Sequence, residues 1–172
     1  ETKLKAENLI RESGIDCVIL RLSASMYTVF QASDLRRLYD IPLNNRLEVC
    51  HPEEVSLAIV NAIVNFDAAK GNTLIISGGP KGRMLYKDMI RGILGVLRLP
   101  LPPARKFTQR PFYLDYYDTS KSQLLLQYQH KTFGDYLGDY RGTLARRFTP
   151  AFLPVMCYFV GPLFGKIVMR LI

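Results

Sequence analysis

The alternation of apolar and polar positions along the 172 residues predicts helices and strands in turn. Residues 2–12, TKLKAENLIRE, place their apolar side chains among charged residues at spacings compatible with one helical face. Residues 17–22, CVILRL, form a continuous apolar run that is typical of a fully buried parallel strand. A loop and a short helical piece of undefined shape follow over 23–45, and residues 46–51 then predict a short strand.

A helix is predicted to begin at Pro52, because proline is favoured in the first turn of a helix. Glu53 and Glu54 follow near the positive end of the helix dipole, where we expect surface residues, and the alternative is a functional carboxylate pair. An apolar stripe at helical spacing predicts that one face packs on a core. It consists of Val55, Ala58, Ile59, Ala62 and Ile63.

The second half of the chain continues the alternation. Residues 72–79 predict a strand, and residues 84–97 predict a helix weakened by two glycines. Three prolines exclude a helix from 99–107, and further helices are predicted at 118–128 and 132–148. Strands that alternate with helices favour an α/β fold with crossover units, although three or four strands are too few for a self-sufficient doubly wound sheet.

The net charge of +8 suits a phosphate-bearing ligand, an anionic membrane or nucleic acid, or it is balanced by a missing part of a larger protein. Because the basic residues are scattered and form no recognised motif, we expect no nucleic acid partner. Cys17, Cys50 and Cys157 are odd in number and lack metal-ligand spacing. They predict neither a disulfide framework nor a metal site, and they fit a cytoplasmic protein.

Four segments of the chain, taken in their order along the sequence, carry a likeness to a known protein family. In TKLKAENLIRESGIDCVILRLS, Lys3 precedes Glu7 by four residues and Arg21 closes the strand. VCHPEEVSLAI enters a helix after a histidine. GNTLIISGG is followed by MLYKDMIRGI, and YYDTSKSQLLLQYQHKTFGDYL completes the set.

In this order the segments resemble the C-terminal half of the extended or atypical short-chain dehydrogenases/reductases, the NAD-dependent epimerase/dehydratase group. The first is similar to the helix and strand that follow the family's YxxxK motif, with Lys3 as the motif lysine. The second is similar to hydrophobic-His-x-Asp-Asp-Val-Ala-x-Ala, with glutamates replacing the aspartates. The last resembles an Asp-x-Ser-Lys segment, but Leu126-Gln127-Tyr128 stands where Leu-Gly-aromatic is usual.

The resemblance implies an α/β fold that is the C-terminal portion of a Rossmann-like extended short-chain dehydrogenase/reductase. Residues 1–148 would supply a few strands and the helical substrate-binding part. The glycine-rich dinucleotide turn, most of the parallel sheet and the catalytic tyrosine would lie upstream of Glu1, so that the chain is a fragment. NAD or NADP would be bound mainly by that absent N-terminal part.

In the family, the motif lysine hydrogen-bonds the nicotinamide ribose and lowers the pKa of the catalytic tyrosine. The resemblance therefore gives Lys3 a catalytic and cofactor-binding role, and the alternative is a solvated lysine on a helix face. Ser23 and Ser25 follow the strand that leads to the nicotinamide, and they are cofactor-binding candidates. Arg21 is expected to cap the strand, and His51 is expected to be a buried, hydrogen-bonded structural residue.

The substrate-binding candidates are Tyr27, Arg105 and Arg110. Guanidinium groups suit a pyrophosphate, and arginines from this half serve that purpose in sugar-nucleotide relatives. The alternatives are that Tyr27 packs in the core and that the arginines belong to a solvated basic loop.

The tail 149–172 begins with 17 uncharged residues and contains three prolines, so it is short for a membrane span. Its apolar residues could enter a headgroup layer while Lys166 and Arg170 stay at the surface, which would make the protein peripherally membrane-associated. The alternative is that the tail packs over the core of the missing part or over a second subunit of a homodimer.

The expected function is therefore the substrate-side half of an NAD(P)-dependent oxidoreductase or epimerase/dehydratase, inactive alone. Its substrate would be a small molecule such as a nucleotide-sugar or a lipid-like compound. The alternatives are a non-catalytic NAD(P)-fold scaffold, a membrane-associated binding protein and a standalone α/β interaction domain.

Overall fold

A computed structural model describes residues 2–26 and 37–147, so Tyr27 and the tail 149–172 lie outside the described residues. The described part contains six α-helices and five strands. In chain order they are α1 (Thr2–Glu12), β1 (Ile19–Leu22), β2 (Ala24–Ser25), β3 (Arg46–Cys50), α2 (Pro52–Val64), α3 (Phe66–Ala69), β4 (Thr73–Ile76), β5 (Arg83–Leu85), α4 (Tyr86–Val96), α5 (Ser120–Leu126) and α6 (Phe133–Arg147).

The strands form one two-stranded and one three-stranded sheet. In the first, β1 pairs parallel with β4, so that Ile19 lies opposite Thr73. In the second, β3 lies between β2, which is parallel to it, and β5, which is antiparallel to it. Ser23 joins β1 to β2 and connects the two sheets. The α/β class is confirmed, with small parallel and mixed sheets, whereas the Rossmann-like assignment stays a prediction.

Helices lie on both faces of the β1–β4 pair. Leu74 and Ile76 point to one face, where they form a buried cluster with Ala58 of α2 and Leu126 of α5. Side chains alternate along a strand, so Arg21 of β1 points to the opposite face. There the Arg21 guanidinium pairs at 2.7 Å with a side chain of α1. This gives three layers, with α1 on one side and α2 and α5 on the other.

A second core lies on the side of β3 and β5. It is formed mainly by apolar residues of β3 and α4 and extends to α6 through stacked aromatic rings. The ring centroids of Tyr136 and Tyr140 in α6 are 6.1 Å apart, and Phe133 stacks on Tyr136. Gly92 of α4 permits this packing, because a Cβ at this position would meet the Phe133 ring at 2.7 Å.

The predicted helix 84–97 is wrong at its start. Met84 and Leu85 belong to β5, which pairs with β3 from Arg46 to Glu48. Helix α4 begins only at Tyr86. The pairing with a strand far away in sequence overrides the local helical pattern.

The expectation that β1 is fully buried is also wrong. Its last two residues, Arg21 and Leu22, are exposed, although the parallel pairing itself is confirmed. Helix α1 contains no buried residue, and in α2 the predicted stripe is divided: Ala58 and Ala62 are buried, whereas Ile63 is 70% exposed. Between residues 2 and 147, as far as they are described, no helix is both long and apolar enough to cross a membrane.

Candidate functional site

Polar side chains lie just beyond the carboxyl ends of the parallel strands. Ser23 follows β1, Ser77 follows β4 and His51 follows β3. The Ser23 hydroxyl donates to the Ser77 Oγ over 2.7 Å, which joins the ends of β1 and β4. Ligands of parallel α/β sheets bind at this edge, so these residues define the candidate site.

The contacts of α1 with the sheet place Lys3 at the same edge. Arg11 donates to the Thr73 Oγ1 over 2.8 Å, near the start of the strand pair, and Glu7 pairs with Arg21 near its end. Four helical residues rise about 6 Å, and two strand residues advance by nearly the same distance. Continuing this register brings Lys3 level with Ser23.

The Glu7–Arg21 contact fixes the orientation of α1. Arg21 donates to both Glu7 carboxylate oxygens, over 2.9 and 2.7 Å. These bonds to Arg21 hold the pKa of the Glu7 carboxyl below its ordinary value. Arg21 was expected to cap the strand, and in the structure it pairs through two hydrogen bonds with Glu7 of α1. The Lys3 side chain is exposed to solvent.

A buried hydrogen-bond network holds the backbone of Ser77. The Tyr128 hydroxyl donates to the Ser77 carbonyl over 2.9 Å and accepts from the Ser77 N–H over 3.0 Å. Gln129 donates to the same carbonyl over 2.9 Å. Burial raises the pKa of the Tyr128 phenol, so it acts here as a neutral structural group.

Glu48 of β3 holds the turn after Ser77. Its carboxylate accepts from the Gly79 N–H over 2.9 Å, from the Arg83 Nε over 2.9 Å and from the Tyr117 N–H over 3.1 Å. Gly79 has a φ of 62°, which favours glycine. This buried carboxylate therefore positions the turn between β4 and β5.

A small cavity of about 10 Å³, which has room for about one water molecule, opens at the carboxyl end of β3, between the first turn of α2 and the start of α6. Its lining residues are Met26, Val49, His51, Glu54, Gly82, Lys131, Thr132, Phe133 and Tyr136.

His51 is buried as the N-cap of α2, and its Nδ1 accepts the Glu53 N–H over 3.2 Å. No described residue hydrogen-bonds its Nε2; the Asp139 Oδ2 is 3.3 Å away but outside hydrogen-bond geometry.

Glu54 is buried in the cavity wall, which contradicts the expectation of a surface residue. Its Oε1 accepts the Lys131 N–H over 2.7 Å, and the Cys50 Sγ lies 3.8 Å from its Oε2. Burial, followed by the Glu54 charge, raises the pKa of the Cys50 thiol to about 12. Glu53 is exposed as expected, and the Lys131 ammonium 2.9 Å away lowers the pKa of its carboxyl.

The structure brings Ser23 and Ser77 together but leaves the predicted arginines apart from the cavity. Arg105 lies in a 3₁₀ turn over Ala104–Lys106, and both it and Arg110 are exposed. Neither residue lines the cavity. Ser25 lies in β2 opposite Cys50. Tyr27 falls outside the described residues.

Sequence reasoning missed Ser77 and Glu54 as site residues. The Ser-Gly-Gly that ends the predicted strand at 72–79 was a usable signal for Ser77. The burial of Glu54 had no local signal, because it depends on a distant segment just before α6, whose Lys131 N–H donates to the Glu54 carboxylate. Within 2–26 and 37–147 no cluster of three or more His, Cys, Asp or Glu could hold a metal ion.

Comparison of the chain with protein family models and with curated proteins finds no match.

Proposed function

We propose that this chain is the substrate-side part of an NAD(P)-dependent oxidoreductase or epimerase/dehydratase, and that it is inactive alone. The observation that supports the proposal is the parallel β1–β4 pair with helices on both faces and polar residues at its carboxyl edge. Dinucleotide cofactors bind at this edge of parallel α/β sheets.

We assign the role of the motif lysine to Lys3. The register of α1 against β1 supports this role, because the helical turn before Glu7 runs toward the level of Ser23, where a ribose hydroxyl could accept a hydrogen bond from the Lys3 ammonium. Its positive charge would also lower the pKa of a tyrosine phenol one helical turn upstream. That tyrosine would take up or release a proton while hydride passes to or from the cofactor.

The uncovered surfaces of the unit support the proposal that a further part covers it. In the described part of the chain β1 pairs with β4 alone, and the alternation of the ladder directs the N–H groups of Leu20 and Leu22 away from β4. Open edges of this kind are usually paired or covered. Helix α1 also exposes Leu4 and Leu9, at 57% and 67%.

Fluorescence titration with NADH and NADPH tests the proposal, using this chain and a version extended by the sequence that its gene encodes upstream. We expect the extended protein to bind one cofactor and this chain to bind neither. If the extended protein is folded by circular dichroism and binds neither cofactor, the proposal fails.

Lys3→Ala in the extended protein tests the residue assignment. Loss of a charge-assisted hydrogen bond is expected to weaken cofactor binding about tenfold or more. Lys5→Ala is the matched control, because two residues of helix turn the side chain to nearly the opposite face. Equal effects of the two substitutions would contradict the assignment.

A non-catalytic scaffold of the same fold is the second candidate, favoured by the Ser23 hydroxyl being engaged with Ser77. In that case cofactor binding would be retained and hydride transfer would be absent with every substrate class. The alternative of a membrane-associated binding protein depends on the tail 149–172, which lies outside the described residues.

A further inference from the structure

We propose that the loop 103–113, called the basic loop below, docks on the surface of a bilayer that contains anionic phospholipid. The loop carries three exposed cations, Arg105, Lys106 and Arg110. It ends in two exposed aromatic side chains, Phe112 at 40% and Tyr113 at 100%. The chain contains no Asp or Glu from residue 89 to residue 114. Positive charge next to exposed aromatic rings suits a negatively charged membrane surface.

Contacts with the core hold the basic loop in place. Phe107, which lies between the cations in sequence, is buried, and its ring is edge-on to Tyr39 with 5.2 Å between the centroids. The Thr108 N–H donates to the Tyr39 carbonyl over 2.9 Å. Just after the loop, the Leu114 carbonyl accepts from the Asn45 side chain over 3.1 Å. Because the backbone is fixed in this way, the exposed side chains can bind a surface with little loss of backbone entropy.

Two cations of the basic loop, Arg105 and Arg110, form no ion pair with any residue that the structure describes. The first acidic residue after the loop, Asp115, is already paired with Arg46 over 2.6 Å. The two guanidinium groups are therefore available to phosphate oxygens, to which arginine donates charge-assisted hydrogen bonds.

The aromatic rings favour a bilayer over a free phosphate compound. A soluble phosphate compound would use the cations alone, whereas a bilayer also takes up tyrosine side chains at the level of its headgroups. Stable attachment to a membrane generally needs two signals. The 17 uncharged residues at the start of the tail are a candidate for the second signal. We therefore assign the basic loop to a lipid surface, and this assignment requires no cofactor.

Co-sedimentation of the 172-residue chain with vesicles tests the proposal. The vesicles consist of phosphatidylcholine alone or of equal parts of phosphatidylcholine and phosphatidylglycerol. We expect the chain to bind the anionic vesicles about tenfold or more tightly than the neutral ones, and added salt should weaken this binding because it screens surface charge. Equal binding to the two compositions would overturn the proposal.

A double substitution tests the cations of the basic loop. Arg105→Gln combined with Arg110→Gln should weaken binding to the anionic vesicles about 25-fold, because each cation near such a surface contributes about fivefold. The matched control is Lys81→Gln combined with Lys121→Gln, which removes the same charge from two exposed lysines outside the loop. An equal loss of affinity in the control would mean that only net charge matters, and it would overturn the proposal.

Tyr113→Ser tests the aromatic contact. Because this side chain is fully exposed in the free protein, its replacement should leave the fold unchanged. We expect vesicle affinity to fall about tenfold, since the ring would leave water on docking. Leu124→Ser is the matched control, because it removes an apolar side chain that is 77% exposed on α5.

Circular dichroism verifies that each variant is folded. If both loop variants bind the anionic vesicles as tightly as the unmodified chain, the membrane contact lies elsewhere, and the proposal is overturned. Two competitors separate the other sources of phosphate. Release by inorganic pyrophosphate, but not by sulfate at equal ionic strength, would indicate a free phosphate ligand and overturn the proposal. Tighter binding of a single-stranded DNA oligonucleotide than of the vesicles would also overturn it, in favour of a nucleic acid.

Discussion

Replacing Glu48 by glutamine tests whether the buried carboxylate holds the turn at the carboxyl edge. The side chain is 1% exposed and accepts from the Gly79 N–H, the Arg83 guanidinium and the Tyr117 N–H. Glutamine has nearly the same volume, so the substitution changes hydrogen bonding and charge without creating a cavity. Its NH₂ group must face at least one of these three donors.

The expected loss follows from the three hydrogen bonds. Hydrogen bonds to charged groups contribute roughly 1.5–3 kcal/mol each, and a buried donor left without an acceptor costs about 1–3 kcal/mol. Because the Arg83 side chain is 35% exposed, water replaces part of its interaction. We therefore expect Glu48→Gln to lower the free energy of unfolding by about 3 kcal/mol.

Urea unfolding monitored by circular dichroism measures this loss, provided that the transition is two-state. Hydrogen exchange of the Gly79 amide gives a local readout, and it should accelerate in Glu48→Gln. Asp115→Asn is the matched control, because it removes an acid paired with an arginine, Arg46, on the surface. This control should leave stability unchanged.

The reasoning would be refuted if Glu48→Gln stayed within the roughly 0.5 kcal/mol that is typical of surface substitutions. It would also be refuted if stability fell while the Gly79 amide exchanged at the original rate. The first result would mean that the carboxylate contributes no net stability. The second would mean that it acts somewhere other than the turn.

Two further predictions concern α4 and the buried thiol. Gly95→Ala should stabilise the protein by up to about 1 kcal/mol, because the added Cβ meets no neighbour and alanine favours a helix. Gly92→Ala should destabilise the protein, because its Cβ would clash with the Phe133 ring. Equal changes in the urea midpoint of the two variants would contradict this packing. The pKa of Cys50 is raised from 9.0 to about 12, so the stabilising contribution of its neutral thiol is full below pH 9 and is lost toward pH 12. The unfolding free energy of the wild type minus that of Cys50→Ala should therefore decrease from pH 7 to pH 10.5, and a constant difference would exclude this linkage.

Much of the element order follows from local signals. The apolar spacing of residues 2–12 and 52–66 predicts two helices that the structure contains, because an amphipathic face needs only a period of 3.6 residues. The helix predicted at 132–148 is also present, as α6. The apolar runs at 17–22 and 72–79 likewise predict β1 and β4. The assignment to the epimerase/dehydratase family stays a prediction.

The sequence by itself thus determined where most helices and strands form and that the protein is α/β. Only the tertiary structure decided that Met84 and Leu85 pair with β3, that Glu54 is buried and that Arg105 stands apart from the cavity. The physical reason is that periodicity reports which face of an element is apolar, whereas burial depends on which distant segment packs on it. The cavity itself exists only because α6 approaches the first turn of α2, some 80 residues earlier in the chain.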